Sequence, residues 1–96
     1  MKLDQLFSVK DKVVLITGGS RGIGEMIAEG YIANGAKVYI SSRKEIEIKK
    51  TAQRLKEAYN GFCEGISTDI SNVEGVEELF NKFTKKEKHL DILVNN

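Results

Sequence analysis

Residues 17–24 read Thr17-Gly18-Gly19-Ser20-Arg21-Gly22-Ile23-Gly24, and no other stretch of this chain is better suited to chemistry. Glycines let backbone N–H groups come close to an anion, and a helix starting at such a turn adds partial positive charge at its N-terminus. The chemistry on offer is phosphate holding, with Gly18, Gly22 and Gly24 shaping a seat for the pyrophosphate of a dinucleotide. The spacing Gly18-x-x-x-Gly22-x-Gly24 is not the ordinary G-x-G-x-x-G, which the chain lacks. Taken alone, a glycine-rich run could equally be a tight strand–helix turn. Its context favours the phosphate reading: the apolar run Val13 to Ile16 precedes it, a helical pattern follows it, and a second strand ends ~20 residues later, where ribose recognition is expected.

That second strand closes on Ser41-Ser42-Arg43. In NAD-selective folds a carboxylate at this place accepts hydrogen bonds from the ribose hydroxyls; here Ser42 stands instead, and no acidic side chain repels a 2′-phosphate. Arg43 can pair with that phosphate, and Arg21 can reach it from the glycine turn. Charge-assisted hydrogen bonds contribute ~1.5–3 kcal/mol each, so two arginines favour NADP over NAD by ~100-fold or more. Ser42-Arg43-Lys44-Glu45 also fits a capping box with Ser42 as N-cap, which is compatible with the first reading. Further on, Thr68-Asp69-Ile70-Ser71 ends the third strand. Asp69 could accept the amino proton of an adenine while Ile70 lines the ring, or Asp69 or Ser71 could simply cap the next helix. Asn95-Asn96 could line the same cleft or form a turn.

The elements that position these residues are legible in the hydrophobic pattern. It predicts strands over 12–16, 37–41, 62–68 and 92–94, alternating with helices over 21–34, 44–59 and one opening at 71–74. Val13-Val14-Leu15-Ile16, without polar interruption, reads as a parallel strand covered on both faces. Ile23, Ile27 and Tyr31 recur at helical spacing in the first helix, which Asn34-Gly35 stops. Ile48, Ala52, Leu55 and Tyr59 form one stripe of the second, ended by Asn60-Gly61. Ser71-Asn72-Val73-Glu74 fits a capping box, and the third helix is expected to bury Val73, Val76, Phe80 and Phe83. Strand–helix alternation with short connections implies parallel strands and right-handed crossovers. The fold class is α/β: a doubly wound, Rossmann-like parallel sheet in spatial order 3-2-1-4. The reversal between strands one and four opens a crevice at their carboxyl ends, and the glycine turn faces it.

Residues 1–96 read as one dinucleotide-binding segment, without repeats, low-complexity tracts, linkers or any proline. Fifteen basic and fourteen acidic residues leave a net charge of +1, so no domain-wide basic field invites nucleic acid. Lys85-Lys86-Glu87-Lys88-His89 is broken by a glutamate and complements the dipole of the helix it ends. One cysteine, Cys63, excludes an internal disulfide and fits a reducing, cytoplasmic setting. Between Phe62 and Ile66 it reads as a buried thiol, and a single histidine with a single cysteine makes no zinc constellation. No stretch is long and apolar enough to span a bilayer, and no signal-peptide pattern opens the sequence.

Thr17-Gly18-x-x-x-Gly22-x-Gly24, then Asp69, then Leu93-Val94-Asn95-Asn96 together resemble the N-terminal part of a short-chain dehydrogenase/reductase. The Phe7-Ser8-Val9 lead-in and the Ser42-Arg43 pair are similar to NADP-dependent carbonyl reductases, including 3-oxoacyl-[acyl-carrier-protein] reductases. The resemblance covers nearly the whole chain. It implies that Ser20, Arg21 and Ile23 contact the cofactor phosphates, Arg43 the 2′-phosphate, and Asp69 and Ile70 the adenine, with Asn95 bordering the adenosine side of the cleft. It implies NADP(H) rather than NAD as cofactor, hydride transfer between the nicotinamide and a carbonyl or hydroxyl carbon of a small-molecule or acyl substrate, and a homo-oligomeric parent.

The chain departs from that family in length and in its active site. Family members are more than twice as long, and their Asn, Ser, Tyr and Lys active-site residues follow an Asn-Asn-Ala-Gly motif that begins here at Asn95. No Tyr-x-x-x-Lys occurs: at that spacing Tyr31 meets Gly35, Tyr39 meets Arg43 and Tyr59 meets Cys63. Tyr39 falls within strand two, where it reads as packing. Without a tyrosine acid beside a lysine, no group here is placed to protonate a carbonyl oxygen. The expectation is an NADP(H)-binding part of an oxidoreductase; the alternative is a non-catalytic NADP(H)-binding module or a sequence fragment. Strand four as an open edge, with apolar surface around Phe80 and Phe83, is expected to leave the chain poorly folded, aggregating, or associating through that edge.

Overall fold

The computed structural model describes residues 8–96; Phe7, the start of the lead-in, lies outside them. Strands and helices alternate: β1 (Val13–Thr17), α1 (Gly22–Ala33), β2 (Lys37–Ser42), α2 (Glu45–Tyr59), β3 (Phe62–Ser67), α3 (Val73–Thr84) and β4 (Ile92–Asn95). The strands form one parallel sheet in the expected order, β3-β2-β1-β4. β1 is paired on both sides and every one of its residues is buried. A strand covered on both faces needs apolar side chains on both, which is why it shows no polar alternation. The register sets Thr17 opposite Ser41 of β2 and Asn95 of β4, so three strand ends stop side by side beneath the glycine turn.

A core lies on each face of the sheet. On one, α1 and α2 lay Ala28, Ile32, Ile48, Ala52 and Leu55 over Val14, Ile16, Val38, Ile40 and Cys63. On the other, α3 sets Leu79 and Phe83 against Val13, Leu15, Tyr39 and Ile66. Tyr39 is a packing residue: its ring meets Phe83 edge-on with centroids 5.3 Å apart, and its hydroxyl donates to Glu87, which also pairs with Lys37.

In α2 Ile48, Ala52 and Leu55 are buried as expected, with Tyr59 at the helix end exposed, but α1 and α3 turn different faces inward from those the apolar spacing suggests. In α1 the buried residues are Gly24, Ala28 and Ile32, whereas Ile23 is 69% exposed and Ile27 and Tyr31 are half-buried. In α3 they are Gly75, Leu79 and Phe83; Val73, Val76 and Phe80 are exposed, ~90° round the helix. Gly75 sets that rotation. A Cβ there would run into the Asp69 carbonyl oxygen, so only a glycine lets the first turn lie against this backbone. The exposed apolar surface therefore centres on Phe80, and Phe83 belongs to the core.

Caps differ as well. Asn72, not Ser71, caps α3, accepting the Gly75 N–H at 2.8 Å. Ser71 is occupied otherwise, its N–H donating to Asp69 Oδ1 at 3.0 Å, so neither Asp69 nor Ser71 serves as the cap. At α2 the N-cap position falls on Lys44, and Ser42 acts two residues earlier: its hydroxyl accepts the Lys44 N–H at 3.1 Å and shapes the turn. The C-terminal signals hold. Asn60 adopts the left-handed conformation after α2, and Gly35 has φ +87° beyond α1.

Candidate functional site

Gly18 turns the chain off β1 with φ +71°, and the N–H groups of Gly18 and Gly19 donate to the Ser41 carbonyl at 2.8 and 3.3 Å. Those two donors tie the turn to β2. What remains for a ligand is the start of α1, whose first N–H groups have no intrahelical partner. Gly22 holds φ +64°, and a Cβ built on it would meet nothing within 4 Å, so it supplies a backbone shape beneath open space. Gly24 is the opposite case. A Cβ there would run into the Gly18 carbonyl oxygen and the Asn96 side chain, so α1 starts hard against the turn.

α2 holds this turn from outside. Arg21 stands at the N-cap position of α1 with extended backbone, and its Nε lies 3.8 Å from Glu47 Oε1. One helical turn beyond Glu47, the buried Thr51 hydroxyl donates to the Ser20 carbonyl at 3.0 Å. From the far side β4 does the same. Thr17 Oγ1 donates to Asn95 Oδ1 at 3.0 Å and accepts the Asn96 N–H at 3.1 Å, while Asn96 Nδ2 donates to the Gly18 carbonyl at 3.2 Å.

At the carboxyl ends of β1, β2 and β3 lies a cleft of about 230 Å³. It brings together Gly18, Ser42, Arg43, Asp69 and Ile70 from the predicted set, joined by Ser41, Thr68 and Asn96. Ser20, Arg21, Gly22, Ile23 and Gly24 lie beyond that lining, on the turn and the first residues of α1. Asn95 lies in a separate groove with Thr17, Ile70, Val76, Leu79, Phe80 and Leu93. Successive strand residues point to opposite faces, which separates Asn95 from Asn96.

Electrostatically the cleft pairs an ionised acceptor with a cation. Hydrogen bonds from the Ser71 N–H and hydroxyl, and after them the Arg43 charge, hold the Asp69 carboxyl below the usual range. The Thr68 hydroxyl is buried and has no hydrogen-bond partner. Burial, and next the Glu64 charge, push the Cys63 thiol up to about 12, so it stays protonated and inert at neutral pH. A larger hollow of about 420 Å³ runs along α1, lined by Val9, Met26, Ile27 and Tyr31 among others, but no charged side chain lines it. Among the described residues there is no group of three His, Cys, Asp or Glu able to hold a metal, and no helix long and apolar enough to cross a membrane.

Sequence reasoning missed Glu47 and Thr51 as parts of this region and gave Thr17 and Thr68 no role of their own, whereas Asn96 lines the cleft as its position suggested. Thr17 and Thr68 stand inside motifs that were recognised, and that position was a usable signal. Glu47 and Thr51 reach the turn across long sequence separations and carry no local mark.

A model of the short chain dehydrogenase family matches residues 12–96. The chain is 44% identical over 90 residues to the rhamnolipids biosynthesis 3-oxoacyl-[acyl-carrier-protein] reductase of Pseudomonas aeruginosa, an alignment covering 94% of this chain and 34% of that protein. Among solved structures it is similar to the Pseudomonas aeruginosa RhlG/NADP active-site complex, with TM-score 0.89 and 44% identity over 94% of this chain and 36% of that one. It is also similar to L-sorbose reductase from Gluconobacter frateurii complexed with NADPH and L-sorbose, with TM-score 0.88 and 34% identity over 93% of this chain and 34% of that one. The chain thus spans about a third of the length of the relatives it matches.

Proposed function

We propose, because the chain belongs to the short-chain dehydrogenase family, that its cleft and glycine turn hold NADP(H) and that it is the cofactor-binding part of an oxidoreductase. One observation carries the reading: Gly18 of the glycine turn lines one cleft with a strand end, Ser42-Arg43, that bears a cation and no carboxylate, while the turn leaves open space at Gly22. The residues fit the group. Gly18, Gly22 and Gly24, with Ser20, Ile23 and the Arg21 backbone, would hold the pyrophosphate at the start of α1, which leaves the Arg21 guanidinium for the 2′-phosphate. Ser42 and Arg43 would hold the 2′-phosphate, Asp69 would accept from the adenine amino group, and Ile70 would line the ring. Asn95 would act at one remove, through Thr17 and the strand ends it joins.

When bound, the nicotinamide supplies the hydride; the part of these residues is to bind and orient it. NADP is favoured over NAD because Arg43 and Arg21 can pair with a 2′-phosphate and β2 ends on Ser42 in place of a carboxylate. The similarity to a 3-oxoacyl-[acyl-carrier-protein] reductase supports a carbonyl substrate of small-molecule or acyl type, reduced to the hydroxyl. Residues 1–96 are accordingly one dinucleotide-binding segment. A second reading rests on the absence of any Tyr-x-x-x-Lys: by itself the chain is an NADP(H)-binding module, and proton donation to the carbonyl oxygen draws on groups outside these residues.

Equilibrium titration of the chain and of Arg43→Asp with NADPH and NADH tests the cofactor assignment. NADPH should bind at least ~10-fold more tightly than NADH, as expected for one charge-assisted contact, and Arg43→Asp should abolish the difference. Equal affinities in the unmodified chain would sink the assignment. Binding without NADPH oxidation in the presence of carbonyl compounds marks the second reading.

A further inference from the structure

The glycine turn and the end of β2 each bring a cation to one acidic side chain. Glu47 lies in the first turn of α2 with one carboxylate oxygen 3.8 Å from Arg21 Nε and the other 3.9 Å from Lys44 Nζ. Arg43, next to Lys44, forms no ion pair among the described residues. The Glu47 side chain is about two-thirds buried, and Arg21 is three-quarters exposed, so the carboxylate is fixed better than the guanidinium it meets. Contact with Arg21 runs through Nε, and the terminal nitrogens of the fork are not engaged by Glu47.

We propose that Glu47 is a specificity-determining residue that tempers the preference for a 2′-phosphorylated cofactor, its carboxylate standing between the two cations as a resident competitor for the phosphate. The inference rests on the NADP(H) reading above. Two opposed effects decide its sign. Glu47 orients Arg21, but an exposed ion pair at this separation contributes little. It also places a negative charge against an incoming dianion at the position where that dianion would pair, and this repulsion is the larger effect at low ionic strength. Removing the charge should therefore tighten binding of the phosphorylated ligand. A ligand that lacks the 2′-phosphate has no reason to respond.

The adenosine halves of the two cofactors, 2′,5′-ADP and 5′-AMP, are the probes, because they report on this corner alone. Dissociation constants are measured by calorimetry at low salt for the chain, Glu47→Gln, Arg21→Ala and Glu47→Gln/Arg21→Ala, with circular dichroism to verify folding. Glu47→Gln should bind 2′,5′-ADP about three-fold more tightly with 5′-AMP unchanged, and salt should erase the gain. In the Arg21→Ala background the gain should shrink, since one of the two released cations is gone. An unchanged or weaker affinity of Glu47→Gln for 2′,5′-ADP overturns the inference while the cofactor reading stands, provided that the unmodified chain still prefers 2′,5′-ADP. An equal gain for 5′-AMP overturns it too, as a general charge effect. No preference for 2′,5′-ADP in the unmodified chain overturns the cofactor reading and this inference with it.

Discussion

Gly22 and Gly24 stand two residues apart and are glycines for different physical reasons. Gly22 has φ +64° and open space above it; Gly24 has an ordinary helical backbone and no room for a methyl group. Gly22→Ala should cost about 1 kcal/mol, the penalty of a left-handed conformation, and place its methyl group where the proposed phosphate sits. Gly24→Ala should cost about 3 kcal/mol, because the Gly18 carbonyl and the start of α1 must part. Urea unfolding of both variants checks the order. Equal midpoints would show that α1 does not press on the turn as described. NADPH titration should separate them further, with Gly22→Ala losing affinity out of proportion to its stability.

At the scale of elements, the joint between β1 and β4 turns on a carboxylate. The Val13 N–H donates to Asp91 Oδ2 at 2.8 Å, and the Asp91 N–H donates to the Val13 carbonyl at 2.9 Å. The Val13 N–H bond, and after it the neighbouring His89 and Lys12, hold the Asp91 carboxyl below its ordinary value against the opposing effect of partial burial. A carboxyl depressed in the folded state takes up its proton at higher pH when unfolded. Its contribution to stability is complete above the ordinary aspartate value and is lost as pH falls through the folded value. Asp69 acts in the same sense. Asp91→Asn should therefore be less stable than the unmodified chain near neutral pH, and the gap should close below about pH 4. Thermal unfolding across that range measures it. A gap that persists undiminished in acid would show that the side-chain charge plays no part in the joint.

For the molecule as a whole, the sheet is finished on neither edge among the described residues, and the β4 edge is the more apolar. Leu93 is half exposed and lies in one groove with Ile70, Val76 and Phe80, all of them accessible. An unpaired strand beside an apolar strip is a surface prone to pairing with another chain. The chain should self-associate as its concentration rises, and Leu93→Lys with Phe80→Lys should return it to the monomer. Sedimentation velocity over a concentration series decides this. A monodisperse monomer at the highest concentration would mean that the strip is too small or too well hydrated to drive association.

Several features were legible from residues close together in sequence. The uninterrupted apolar run of β1, the helical periods, the Asn-Gly stops and the glycine turn are each set by neighbours within a few positions. Strand–helix alternation then leaves few topologies open, because crossovers are right-handed and short. The order β3-β2-β1-β4 and the cleft at the carboxyl ends follow from that. Other features only the packed structure decided. Which stripe of α3 faces the sheet depends on Gly75 meeting the Asp69 backbone, a steric fit that apolar spacing cannot express. Asn72 is the cap in place of Ser71 because α3 starts at Val73, while the Ser71 N–H turns back to Asp69. Glu47 reaches Arg21 and Thr51 reaches Ser20 only once α2 lies beside the glycine turn. Thr17, Asn95 and Asn96 meet only because β4 returns to pair with β1, 78 and 79 residues along the chain from Thr17. Local pattern could place the elements and the glycine turn. The hydrogen bonds and charges that hold that turn in shape come from residues far apart in sequence, and their partners are chosen by proximity in the folded chain.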